Sequence, residues 1–434
     1  MNMSNDRPLR LDPAFYEFSD SLRFIYDEAQ SRMVAPDALL FSTLARISAS
    51  IPPSWVLPAF VGTYTPASLC VAIVGRSGTG KSAANSAARQ ILNISHEQYR
   101  FDISLGTGQG LIEAYLRPMR KTEEGYEEGL KVQKFLGCHF YIDEGQKLLA
   151  GASKPEDIAQ ATMRELWSGE PTGQTNASAS TSRNLQANSA AFGLSIGFQQ
   201  EVAATFVTLG AGLGTPQRFL WAYAVSPDQT DFPPEAIGAL HVPILSHTDN
   251  RQVFTFDEAI ALEVRRHRAA VTRGDIEIDP LEAHDLLKRM KVGVCLARLV
   301  NETHIDGQRW ELAGMITEVS ANVLHNIQEQ GQKAEQARRE QASDHRAEGV
   351  VRVQEKTREA CAWSGALAMA RKLDREQKPL NASALSSSTS SADRGKADIQ
   401  DMIEVLLREQ WAIEIPRPKQ SPLYKAGKVP PPAK

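Results

Sequence analysis

The stretch that most constrains this chain is "LCVAIVGRSGTGKSAANSAARQ", residues 69–90. It opens on an apolar run, which reads as a strand. A tight glycine-rich turn and an alanine-rich helix must follow at once. Gly75-Arg76-Ser77-Gly78-Thr79-Gly80-Lys81-Ser82 fits G-x-x-x-x-G-K-[ST] in full. Such a loop turns successive backbone N–H groups inward around phosphate oxygens. Lys81 supplies a cation, Ser82 offers its hydroxyl to Mg²⁺, and the helix adds its positive N-terminal end. It is a phosphate grip, suited to ATP.

The surrounding texture agrees. Short apolar runs at 68–75, 99–105, 137–143, 190–198 and 218–225 alternate with helical segments, predicting an α/β core with a mainly parallel sheet between helices. Ahead of it, residues 14–50 carry helical spacing, so 1–60 reads as a helical preface and 61–250 as the core. Residues 251–326 form a helical extension, in which Trp310, Ala313, Ile316, Val319 and Val323 share one face. Residues 327–360 are crowded with mixed charge and read as a solvated helical linker. The end, 361–434, orders its helices and strand as a small winged-helix module with a basic, proline-rich tail (Arg417, Lys419, Lys425, Lys428, Lys434). The polar segment 168–189 reads as a loop.

A second acidic signal supports the first. "GCHFYIDEGQ" ends an apolar strand on Asp143 and Glu144. An aspartate there holds magnesium beside the phosphate loop, and the glutamate polarises an attacking water. The same two acids also suit the start of the next helix. "FGLSIGFQQE" ends a strand on Gln199 and Gln200, with Gln199 the better placed to sense a γ-phosphate. Arg218 opens the last strand and serves equally as an arginine finger at a subunit boundary or as a structural ion-pair partner. Glycines 106, 108 and 110 miss the dinucleotide spacing and read as a strand-to-helix turn.

"ASIPPSWVLPAFVG", the phosphate loop, "YIDEGQ", "LWSGEPTGQ", "SIGFQQEVA" and "GTPQRFLWAY" follow in an order that resembles P-loop ATPases of actinobacterial phages and integrative elements. Those are similar to the ATPase halves of primase–helicase proteins, within the RecA-like replicative helicase group. The resemblance covers roughly residues 15–325. It implies a RecA-like core, ATP hydrolysis with Mg²⁺, a homo-oligomeric ring or filament, motion on single-stranded DNA, and a primase or other replication protein as partner. It assigns Lys81, Ser82, Asp143 and Glu144 to the nucleotide site, with Gln199 as sensor and Arg218 as finger.

Composition narrows the alternatives. A net charge of −4 gives no global field for nucleic acid, so such contacts must be local. The four cysteines, Cys70, Cys138, Cys295 and Cys361, lie too far apart for a zinc motif or a disulfide framework, which suits the cytoplasm. No apolar run is long enough for a membrane span, and the N-terminus lacks a secretory h-region. Two other classes stay open: a nucleotide-gated adaptor or DNA-binding switch, and a small-molecule kinase. The acidic pair weighs against the kinase.

Overall fold

The computed structural model describes residues 7–152, 158–235 and 238–432. The chain divides into two compact units, one ending at Lys333 and the other beginning at Ala334.

In the first unit the chain runs through α1 (Asp20–Ser31), α2 (Pro36–Ser50), β1 (Leu69–Val74), α3 (Lys81–Ile91), β2 (Tyr99–Ser104), α4 (Gly108–Glu113), β3 (Gly137–Ile142), α5 (Ala159–Ser168), β4 (Ala191–Phe198), α6 (Gln200–Gly210) and β5 (Phe219–Tyr223). The helical extension follows as α7 (Glu258–Arg273), α8 (Asp285–Leu299) and the first part of α9 (Gly307–Glu376). All five expected strands form, and they make one parallel sheet in the order β5-β1-β4-β3-β2. β1 and β4 are buried at every position, which is why their sequences show apolar runs and no alternation.

The helical preface packs on the sheet through α2. All fifteen of its residues are buried, and Leu39, Leu40, Phe41, Leu44 and Ile47 are wholly enclosed. Each such side chain contributes roughly 1.5–3 kcal/mol. The sheet approaches so closely that a Cβ on Gly193 would stand 2.2 Å from the Ala45 carbonyl oxygen. On the helical extension, Trp310, Ala313, Ile316, Val319 and Val323 are all buried, as their spacing predicts.

Two expectations change. The segment 168–189 is not simply a loop: Thr172–Gln174 pairs antiparallel with Arg183–Leu185. Its polar side chains hold the hairpin from within and at its base, where Asn184 bonds Thr175 and Thr172 bonds Glu165. A polar ribbon of this kind carries no apolar period, so the pattern gave no strand signal. The basic tail is also partly ordered. In the second unit, α10 (Ile399–Arg408) leads into β6 (Ala412–Arg417) and β7 (Gln420–Ala426), with Leu380–Asn381 as a third strand against β7. Tyr424 turns inward onto a separate core of Met369, Leu373, Met402, Leu406 and Trp411. Lys434 lies outside the described residues. Among the described residues no helix is long and apolar enough to cross a membrane.

One buried network ties α2 to the sheet. Asp102, at a positive φ of 56° beside a register shift in β2, accepts from Arg46 Nη1 at 2.7 Å and pairs with Arg89 Nε at 3.0 Å. His139 on β3 is fully buried, 3.0 Å from the Ser195 hydroxyl on β4. Burial, with the Arg46 cation beside it, pushes the imidazole down to about 3. The unfolded chain therefore takes up a proton below about pH 6.5 while the folded chain does not, so stability is lost as pH falls from there. Between pH 6.5 and 4.5 the wild type should lose about 2 kcal/mol more unfolding free energy than His139→Gln, measured by urea titration at each pH. Parallel losses in the two proteins would refute the assignment.

Candidate functional site

In a parallel sheet every strand ends on the same edge, so the segments that follow the strands gather there. The loop Gly75–Gly80 leaves β1 between its two neighbours. Gly75 N–H donates to the Phe198 carbonyl at 3.0 Å on the β4 side, and Ala224 N–H donates to the Val74 carbonyl at 2.8 Å on the β5 side. Gly78 and Gly80 stand at φ 82° and 90°, left-handed values that favour glycine, and Gly80 sits immediately before α3. Lys81 Nζ reaches back over the loop and donates to the Gly75 and Arg76 carbonyls at 2.9 and 2.7 Å. Two loop carbonyls thus hold an ammonium group at a helix N-terminus, a terminus whose positive end attracts a polyanion.

Beside it opens a cleft of about 370 Å³, lined by Ser77, Gly78, Gly80, Lys81, Ser82, Asp143, Glu144 and Gln199. β3 delivers the acids. Asp143 Oδ1 accepts from the Tyr141 hydroxyl at 2.7 Å. The partly buried Tyr141 phenol is raised above its ordinary range, by burial first and then by that carboxylate. Glu144 is exposed, and no described residue donates to its carboxylate. Neither acid spends its side chain capping the next helix, Gln146–Ala152; only the Glu144 carbonyl does so, accepting from Lys147 N–H at 3.0 Å. Both carboxylates therefore remain available to the cleft. Their seat depends on Gly145, whose N–H donates to the Gly197 carbonyl at 2.8 Å. A Cβ at Gly145 would stand 2.2 Å from the Phe198 ring.

The two glutamines separate. Gln199, at the end of β4, lines the cleft, whereas Gln200 turns its amide to Gln330.

Arg218 is not brought here. It precedes β5, where Phe219 pairs with Cys70 near the start of β1, at the opposite edge of the sheet. Five to six residues at about 3.3 Å each put it roughly 17–20 Å from the phosphate loop along the strands. Its guanidinium donates to the Gly214 carbonyl at 2.6 Å and lies 5.3 Å from the Trp167 ring centroid. Burial, with Arg164 nearby, pushes it down to about 10. Trp167 itself is buried, with Lys291 Nζ 3.6 Å from its centroid, so it offers no exposed platform for bases. Arg183 in the neighbouring hairpin is paired with Glu113 at 2.7 Å.

Tyr141 was not singled out by sequence. The signal was available: two residues before Asp143 on a strand, it shares the aspartate's face. Lys291 gave no signal, because only the fold shows its ammonium bonded to the Ser68 and Trp167 carbonyls.

A divalent ion fits the donor set. The Ser82 hydroxyl and the Asp143 carboxylate are hard oxygen donors on one cleft, few enough to leave positions for phosphate oxygens and water, as Mg²⁺ prefers.

No family model matches this chain, and comparison with curated proteins finds no match. The tight seat of the acids gives a direct test. Gly145→Ala should lower the unfolding free energy by about 1–3 kcal/mol, because the new methyl must displace the Phe198 ring or the backbone. Chemical denaturation checks it, and an unchanged midpoint would remove Gly145 from the argument.

Proposed function

We propose that this chain is an ATP-hydrolysing motor that acts on nucleic acid, a RecA-like replicative helicase or helicase-like ATPase working in the cytoplasm. The observation that carries the proposal is the convergence of Lys81, Ser82, Asp143, Glu144 and Gln199 on one cleft, delivered by three different strands. The strand order supports it. The acid-bearing β3 is separated from β1 by β4, as the resemblance to the helicase group leads one to expect.

On this reading the loop N–H groups and Lys81 hold the β- and γ-phosphates of ATP. Ser82 and Asp143 would hold Mg²⁺, which when bound neutralises charge on the phosphate oxygens. Glu144 takes a proton from water as the water oxygen bonds to the γ-phosphorus; the bond from that phosphorus to the bridging oxygen breaks, leaving ADP and phosphate. The Gln199 amide contacts the γ-phosphate and reports its loss through α6, which begins at the next residue. Single-stranded DNA is the proposed track and a ring or filament the proposed assembly. Any finger role for Arg218 must serve a neighbouring copy, because within its own chain the residue lies at the other edge. In the second unit, the succession of helix, strand, helices and hairpin supports the winged-helix reading.

One observation favours a second reading, a nucleotide-gated adaptor. The exposed side of α10 and its cap carry Asp398, Gln400 and Glu404 against one cation, Arg408, a mixed surface that suits a protein partner better than a phosphate backbone.

Steady-state ATP hydrolysis with and without single-stranded DNA tests the proposal. Wild-type turnover should rise with DNA. Lys81→Ala should abolish it, and Glu144→Gln should lower it by roughly 10²–10⁴-fold while ATP binding persists. Turnover indifferent to DNA would move the assignment to the adaptor, and full turnover in Glu144→Gln would sink the proposed chemistry. Tyr141→Phe, which frees the Asp143 carboxylate, should raise the Mg²⁺ concentration for half-maximal turnover several-fold with little change in the maximum; an unchanged Mg²⁺ requirement would show that the hydroxyl does not position Asp143.

A further inference from the structure

We infer that Met33 and Phe232 form the base-binding end of the nucleotide site, clamping the flat ring of a nucleoside triphosphate; the inference rests on the nucleotide reading above. The polarity of the cleft sets the direction. Glu144 and Gln199 mark its reacting end, on the β3 and β4 side of the phosphate loop. A nucleotide whose terminal phosphate points there must send its ribose and base out on the other side of β1, over β5. Two exposed apolar side chains lie in the segments that border that exit.

The first is Met33, in the turn between α1 and α2. It is 55% exposed and held at a φ of 54°, an unusual backbone state for a methionine. The turn lies against the phosphate loop: a Cβ at Gly80 would come 3.9 Å from Val34 Cγ1. The second is Phe232, at 91% the most exposed large apolar side chain among the described residues. It belongs to the strap that leaves β5. That strap starts in contact with the loop, since a Cβ at Gly75 would meet the Ala224 Cβ at 3.0 Å.

The strap then crosses to the turn and is bonded to it. Gln30 Nε2 donates to the Asp228 carbonyl at 3.2 Å, and Thr230 N–H donates to Gln30 Oε1 at 2.9 Å. Gln229 Nε2 donates to the Gln30 carbonyl at 3.0 Å and lies 3.4 Å from Met33 Sδ. Farther along the strap, Phe232 N–H donates to the Thr230 hydroxyl at 3.1 Å. A thioether and an aromatic face, carried on two segments tied together beside a phosphate grip, are the chemistry that holds a base by stacking.

Calorimetric titration with ATP and with inorganic tripolyphosphate separates the base from the phosphates. Wild type, Phe232→Ala, Met33→Gly and Lys81→Ala are compared. Phe232 is exposed, and glycine suits the backbone at 33, so both clamp variants should melt close to the wild type. Each should weaken ATP about tenfold and leave tripolyphosphate binding unchanged. Unchanged ATP affinity in both clamp variants, with binding still lost in Lys81→Ala, overturns the clamp alone. Equal weakening of ATP and tripolyphosphate also overturns it, because the residues would then act on the loop and not on the base. If the wild type binds neither ligand, the nucleotide reading fails and the clamp falls with it.

Discussion

The first unit depends on one strand being buried on both faces and paired on both sides. β1 has β5 and β4 as neighbours and no residue in contact with water, so its end is fixed in three dimensions before any loop is considered. The two hydrogen bonds at that end, Gly75 to Phe198 and Ala224 to Val74, extend the ladder one step beyond the strand. The phosphate loop is therefore suspended between two neighbours and hardly able to drift. Parallel pairing does the rest: each crossover returns the chain to the same edge, where Asp143, Glu144 and Gln199 arrive beside Lys81.

The opposite edge is held by a different physics. Lys291 is fully buried, and burial drives its ammonium well below the ordinary range. Its partners are two carbonyls and the Trp167 ring. Arg218 and His284 approach the same indole, and His284 is pushed down to about 4, mainly by burial. A buried cation without its carbonyls and ring costs several kcal/mol, so this cluster pins the start of β1, the end of α5 and the helix α8 in one arrangement. In sequence Arg218 read equally as a finger or as a structural partner. An arginine after a glycine-rich turn at a strand start has the same signature whether it faces a phosphate or an indole.

The legible part of the molecule follows one rule: signals that depend on the chain's own neighbours could be read, and signals that depend on a partner element could not. The strands of the central sheet, the turn from Gly75 into α3 and the buried stripe from Trp310 to Val323 are local patterns, and each is found where the sequence puts it. The hairpin around Thr172 and Arg183 is held by cross-strand polar contacts, so its composition looked like a loop. Tyr424 sat in a tail judged by its lysines and prolines, yet its ring closes a core built from earlier elements, from Met369 through Met402 to Trp411. The choice between Gln199 and Gln200 was readable only in part. β4 ends one residue before Gln199, but what removes Gln200 is Gln330, on a helix more than a hundred residues away.

The same contrast bears on how the loop can work. Its carbonyls at Gly75 and Arg76 are satisfied by Lys81, while the α3 terminus supplies N–H groups that no turn of helix precedes. The ammonium thus holds two loop carbonyls, while the helix terminus borders the cleft. On the proposed reading an incoming polyphosphate need not build this curvature; it has only to draw Lys81 from two neutral acceptors to a charged one, and the charged hydrogen bond is the stronger. Preorganisation of this kind lowers the ordering cost of binding. It also makes binding respond to the loop's two anchors, because any shift of β4 or β5 at Phe198 or Ala224 moves Gly75 directly. Gln199 follows Phe198 without an intervening residue, so the group proposed to read a terminal phosphate and an anchor that shapes the loop are adjacent in one chain. On the proposed reading, events at the phosphate reach the loop's shape through a single peptide unit, with α6 starting at the next residue.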